Sequence, residues 1–226
     1  MSTNQMTSTE KDILNHTCMV TTGLGIISYA YLIEPRPSED GKPGKYSTSF
    51  LIPKSDTKTL TKIKDAINAA AALGKMEKWN GKVPNPLKHP LRDGDEECDD
   101  KGSEYAGHFF INANSVQKPK IVDFQLNRIT DPDEIYSGCQ CRLSLRFYPF
   151  NTNGNKGVAC GLNNVQKIKD GERLGGVSSN PEDDFADYDD LDLPFDEPSA
   201  PSVKPNIAAQ NSDDILAGIN FGDSAA

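Results

Sequence analysis

The acids of this chain are unevenly distributed, and that limits where it can fold. Twelve of its 33 Asp and Glu residues lie in 179–226 beside a single base, Lys204, a formal charge of −11. Such a stretch cannot bury enough apolar surface to offset the entropy lost on ordering it. Residues 179–226 are therefore expected to be a disordered acidic tail. The rest holds 23 Lys and Arg against 21 Asp and Glu, a charge of +2. Its first residues, 1–17, are polar and read as a disordered lead, which leaves 18–178 as one domain of ordinary size. A near-neutral body joined to a polyanion is a pattern of chains in which one half meets nucleic acid or a partner.

Within the body, strands dominate. Val20 to Ile33 is rich in β-branched and aromatic residues, with Gly23 and Gly25 early in it, and reads as a strand bent at a glycine. Lys45 to Ile52 alternates, with Tyr46, Thr48, Phe50 and Ile52 on one face. Ser55 or Asp56 caps a helix whose apolar residues Leu60, Ile63, Ile67 and Ala70 recur at helical spacing until Gly74. The acid-, Pro- and Gly-rich stretch 80–102 reads as a long loop. Further strands are expected at 106–113, 121–129, 140–148 and 158–166, the last two joined through an Asn153-Gly154 turn. Five or six strands, one inserted helix and no βαβ alternation give a mainly β fold. The expected form is a five-stranded antiparallel barrel of the OB-fold type.

Several function classes fall away. The five cysteines are odd in number and lack C-x-x-C spacing, which argues against a disulfide framework or zinc ribbon and fits a reducing cytoplasm. No run approaches the ~20 apolar residues of a membrane span, and the N-terminus has no secretory h-region. Asp93, Asp95, Glu97 and Glu104 superficially match a calcium loop, but Cys98 stands where that turn needs glycine. His16, His89 and His108 are scattered, and no nucleophile–base pair can be argued. No enzyme, metal or cofactor is expected.

The strand 141–148 carries the most chemistry. Cys141, Leu143, Leu145 and Phe147 form a core face, and Arg142, Ser144, Arg146 and Tyr148 the other. Two guanidinium groups and a ring, about 7 Å apart between successive same-face residues, suit unpaired nucleic acid: arginine neutralises phosphate and a ring stacks on a base. A solvated face paired with acids on a neighbour would read the same way. Tyr29 and Tyr31 share a strand face, Lys45 and Tyr46 open the next strand, and Phe110 is a candidate exposed ring. Lys118, Lys120 and Lys156 add dispersed cations. In the tail, aspartates alternate with Phe185, Tyr188, Leu191, Leu193 and Phe195. Such a segment can compete with nucleic acid for a basic groove or dock on partner proteins. It can also merely solubilise, or mimic DNA to occupy a host enzyme.

Five segments carry a resemblance. They are Phe50-Leu-Ile-Pro-Lys-Ser-Asp-Thr-Lys-Thr59, Pro90-Leu-Arg-Asp-Gly-Asp-Glu-Glu97, Tyr105-Ala-Gly-His-Phe-Phe-Ile-Asn-Ala113, Ile135-Tyr-Ser-Gly-Cys139 and Gly161-Leu-Asn-Asn-Val-Gln-Lys167. Together they make the chain resemble a family of phage and prophage single-stranded DNA-binding proteins, first catalogued as a domain of unknown function. The resemblance implies an OB-fold, sequence-tolerant binding of single-stranded DNA, no catalysis, and a role in replication, recombination or repair in the host cytoplasm. In plan the chain is also similar to the T7-type phage protein and to bacterial single-stranded DNA-binding proteins. Asp189-Asp-Leu-Asp-Leu-Pro-Phe195 looks like the bacterial acidic tip that recruits partners, but here 31 residues follow Phe195 and no terminal carboxylate adjoins it.

Overall fold

In the computed structural model, residues 7–38 and 43–175 are described. They form a mainly β fold of eight strands with a few helices. The strands are β1 (Met19–Thr21), β2 (Gly25–Arg36), β3 (Lys45–Pro53), β4 (Leu91–Asp93), β5 (His108–Ser115), β6 (Lys120–Val122), β7 (Gln140–Thr152) and β8 (Asn155–Lys169). The helices are α1 (Ser8–Thr17), α2 (Thr57–Glu77) and the single turn α3 (Cys98–Lys101). No helix among the described residues is long and apolar enough to cross a membrane.

β7 organises the sheet because its alternation is strict. Cys141, Leu143, Leu145 and Phe147 are buried, while Arg142, Arg146 and Tyr148 face outward. It pairs antiparallel with β1 (Val20↔Leu145), with β2 (Gly25↔Cys141) and with β8 along its whole length. β2 pairs with β3, and β3 with β5. β5 meets β8 at Asn114↔Gly161, so the pairings β2–β3–β5–β8–β7–β2 close a circuit. The β7–β8 hairpin turns at Asn153 and Gly154, both at positive φ (49° and 81°), the backbone that an Asn-Gly turn supplies.

The sequence expectation needs correcting at several points. The sheet is not wholly antiparallel, since β8 runs parallel to both β5 and β6. Parallel neighbours need a long crossover, and residues 123–154, with β7 among them, supply it. The strand expected over 121–129 ends at Val122. The Asp123 carboxylate accepts the amides of Gln125 and Asn127 (2.8 Å each), which folds the chain into a turn. The lead expected to be disordered contains α1. Thr7 Oγ1 accepts the Glu10 amide while Glu10 accepts the Thr7 amide, a reciprocal cap, and Lys11 pairs with Glu77 of α2. β4 and α3 punctuate the expected loop at 80–102.

The α2 cap is Asp56, whose Oδ1 accepts the Thr59 amide at 3.0 Å. Leu60, Ile63, Ala66, Ile67 and Ala70 of α2 are buried in the same core as Phe50, Ile52 and the inner face of β7. The helix continues past Gly74 to Glu77, and Gly74 has a packing role: a Cβ there would sit 2.6 Å from Trp79 Cη2 and 2.7 Å from Pro149 Cβ. Trp79 is buried and its Nε1 donates to Phe150 O at 2.9 Å.

Two outcomes follow. Gly74→Ala overpacks the Trp79 site and lowers the unfolding free energy by about 1–3 kcal/mol, readable in urea denaturation. Cys18, Cys139, Cys141 and Cys160 are buried and Cys98 is half-buried; burial also pushes the Cys141 and Cys160 thiols well above their ordinary range. Brief iodoacetamide treatment of the folded protein at mildly alkaline pH should therefore modify Cys98 alone, as read by peptide mass spectrometry.

Candidate nucleic-acid interface

A shift of phase in β2 builds the site. Ile27 and Leu32 are both fully buried, although strict alternation from Ile27 would bury Tyr29 and Tyr31 and expose Leu32. The register explains the change. Ser28 pairs with Ser49 and Tyr31 with Ser47, so one extra residue is accommodated on β2. Tyr29 takes φ +49°, an uncommon conformation for an aromatic residue. As a result both tyrosines stand on the outer face, 53% and 37% exposed, while Ala30 and Leu32 pack on the core.

The tyrosines open onto a depression of about 370 Å³ lined also by Arg36, Ser47, Ser49, Lys101 and Asn112. Arg36 and Ser47 continue into an adjoining one of about 400 Å³, which Lys45 and Asn114 also line. None of the described lining residues is acidic. Three cations and two amides thus face solvent beside two rings. Among the described residues, Ser49 Oγ, buried in the depression's lining, has no hydrogen-bond partner. Nor has the hydroxyl of Tyr105, a fully buried residue whose phenol burial pushes up.

Ion pairs fasten the segment that carries Lys101. Lys54 Nζ lies 2.6 Å from both Asp93 Oδ1 and Asp95 Oδ2, and Asp95 Oδ1 accepts the Gly107 amide at 2.6 Å. The Lys54 hydrogen bond, then that of Gly107, holds the Asp95 carboxyl below its ordinary range. Arg92 pairs with Glu97. Asp93, Asp95 and Glu97 of the calcium-like run are thus drawn to bases, and no group of three His, Cys, Asp or Glu among the described residues could hold a metal ion.

Cross-strand register links the depression to β7. Tyr31 pairs with Ser47, Ser47 with Asn114, Asn114 with Gly161, and Gly161 with Arg146. Neighbours in this row are about 4.8 Å apart. At Gly161 a Cβ would meet Tyr148 Cε1 at 3.5 Å and Asn114 O at 3.9 Å, which places the Tyr148 ring beside the Asn114 end of the depression.

The remaining candidates divide. Lys45 lines the depression, while Tyr46 is half-buried and pairs with Ser115. Arg142 and Arg146 are exposed but line neither depression, and Arg142 Nε donates to Thr22 O at 3.2 Å. Lys118 and Lys120 are exposed beyond β8, with Lys120 opposite Asn164, and Lys156 stands near the β7–β8 turn opposite Asn151. Phe110 corrects an expectation: it is buried, not exposed. Residues 91–107 fold over the outer face of β5, where Phe110 meets Tyr105 edge-on (5.0 Å, 88°) with the Arg92 guanidinium 5.0 Å above its ring. Phe185, Tyr188, Leu191, Leu193 and Phe195 lie outside the described residues. Arg36, Lys101, Asn112 and Asn114 also line the depressions but do not stand out in the sequence, where the first sits among prolines and the second in an acidic run.

The family described as Enterobacter phage Enc34, ssDNA-binding protein, matches residues 18–193. Protein p50 of Acyrthosiphon pisum secondary endosymbiont phage 1 is 33% identical over 183 residues, 76% of this chain and 92% of that protein. The single-stranded DNA-binding protein of bacteriophage Enc34, solved in complex with ssDNA, is similar at TM-score 0.61 and 27% identity, over 70% of this chain and 90% of that one. A C-terminal truncation of the same phage protein is similar at TM-score 0.58 and 28% identity, over 70% and 89%.

The burial of Phe110 has a measurable consequence. Phe110→Ala should lower the unfolding free energy by about 3–5 kcal/mol, a loss that an exposed stacking ring would not produce.

Proposed function

The chain belongs to the family of the Enterobacter phage Enc34 single-stranded DNA-binding protein, and from that premise we propose that it binds unpaired DNA across the outer face of β2, β3, β5 and β8. The closed circuit β2–β3–β5–β8–β7 is then an OB-type barrel, with β1, β4 and β6 as additions to it. The observation that carries the reading is the depression itself. Its described lining combines Arg36, Lys45 and Lys101 with the rings of Tyr29 and Tyr31 and contains no carboxylate.

Each group has a physical task. Tyr29, Tyr31 and Tyr148 offer faces to unstacked bases, an interaction that every base can make and that leaves sequence unread. Arg36, Lys45 and Lys101 neutralise phosphates and release counterions. Asn112 and Asn114 offer hydrogen bonds without selecting one base. Arg146 closes the row on β7 and holds the strand beyond Tyr148. Nothing here requires a metal, a cofactor or a catalytic group.

The finer assignments rest on sequence. Residues 179–226 carry the charge of a competitor for this groove, and Phe185, Tyr188, Leu191, Leu193 and Phe195 give that segment apolar points for recruiting replication or recombination proteins. The role that follows is protection of single strands during phage DNA replication, recombination and repair, in the host cytoplasm. Removing residues 179–226 should tighten binding at low salt and matter less as salt screens the competition.

Fluorescence titration with oligo-dT and with duplex DNA at two salt concentrations tests the reading. Tyr31→Ala should weaken oligo-dT binding by the ~1–3 kcal/mol of a stacked base, with the salt slope unchanged. Arg36→Ala or Arg146→Ala should weaken all sequences alike and flatten the slope by about 0.7. Oligo-dT affinity no better than duplex affinity would contradict the assignment. So would a protein without its tail that ignores both, leaving the DNA-mimic reading in its place.

A further inference from the structure

A bulge removes an amide from the sheet ladder, and that amide needs an acceptor. Among the described residues no ladder partner stands opposite Ala30 of β2, the residue between the two groove tyrosines. Its N–H donates instead to Ser137 Oγ at 3.1 Å, across more than a hundred residues of sequence. The loop that carries Ser137 is fixed to β2 beside the bulge as well: Gly138 N donates to Ile27 O (2.7 Å) and Ile27 N to Cys139 O (3.1 Å).

The far side of this loop is held by residues 170–174, which follow β8. Leu174 N donates to Ser137 O at 2.8 Å. Glu172 O approaches Gly138 so closely that a Cβ there would lie 1.8 Å away, and Gly138 takes φ +114°. Tyr136 Oη donates to Asp170 Oδ1 (2.9 Å), Lys167 Nζ pairs with Asp170 (2.7 Å), and the Arg173 guanidinium lies 4.0 Å over the Tyr136 ring. Residues 170–174 therefore hold the loop, the loop holds the bulge, and the bulge aims Tyr29 and Tyr31. Ser137 itself does not line the depression.

We propose that Ser137 is a positioning residue for strand binding: its Oγ, backed by residues 170–174, keeps the bulge in the form that displays both tyrosines. This rests on the reading that the depression takes unpaired DNA.

The experiment is oligo-dT titration of the full chain and its variants over a salt series, with melting temperatures alongside. Ser137→Ala, which deletes the acceptor, should weaken binding about three- to tenfold, the net worth of one hydrogen bond. Its salt slope should match that of the unaltered protein, because no phosphate contact is lost. Ser137→Thr, which keeps the hydroxyl, should restore affinity. In a Tyr29→Ala/Tyr31→Ala background Ser137→Ala should add nothing further, a non-additivity that general destabilisation does not produce. Arg173→Met loosens residues 170–174 from their exposed side and should reproduce the loss with an unchanged slope, even if Ser137→Ala folds poorly. Unaltered affinity in both variants, a flattened slope, or a full-sized loss without the tyrosines would overturn the proposal. Failure of the unaltered protein to bind oligo-dT would overturn the functional reading first, and this inference with it.

Discussion

One added residue in β2 decides what the surface of this protein can do. Without it the periodicity of the strand would bury Tyr29 and Tyr31 and expose Leu32. With it the same residues give a core strand on one side and a pair of presented rings on the other. Backbone strain at Tyr29 and an amide lost from the ladder both oppose the arrangement. They are offset by the burial of Ile27 and Leu32 and by the Ser137 hydroxyl, which accepts the displaced Ala30 amide.

The remainder of the site follows from how the sheet closes. β7 pairs with three strands, so its apolar face meets α2 while Arg146 and Tyr148 remain outside. β8 then brings Gly161 against Asn114, and the missing side chain at Gly161 leaves the surface open beside the Tyr148 ring. In the acidic run at 93–104, Lys54 and Arg92 engage Asp93, Asp95 and Glu97, and none of the run's acids lines the described groove. That run also delivers Lys101 to the groove. Net charge hides this arrangement: the chain is acidic overall, yet the described groove carries cations alone.

Local rules were enough for part of this. The inner face of β7, the Asp56 cap and apolar stripe of α2, and the Asn153-Gly154 turn all obey short-range periodicity or turn chemistry, and each was legible. The α1 cap was legible too, in Thr7 and Glu10, but the polar composition around it pointed to disorder. Phe110 was not legible, because what covers it is a segment that returns from before its own strand and is held by ion pairs. The bulge was half legible: Tyr29 and Tyr31 sit two apart, but a two-residue period places them on one face without saying which. Arg36 and Lys101 needed tertiary structure, since strand pairing and the Lys54 ion pairs bring them to the groove. For the tail, sequence speaks only of charge and spaced aromatics.

The central claim is that unpaired DNA lies on the rings of the β2 bulge. Photocrosslinking of the full chain to iodouridine-substituted oligo-dT, followed by peptide mapping, tests it directly. Adducts at Tyr29 or Tyr31, with Tyr148 at the other end of the strand's path, are the predicted result. Adducts confined to α1, α2 or the 123–127 turn, with the β2 tyrosines untouched, would contradict it.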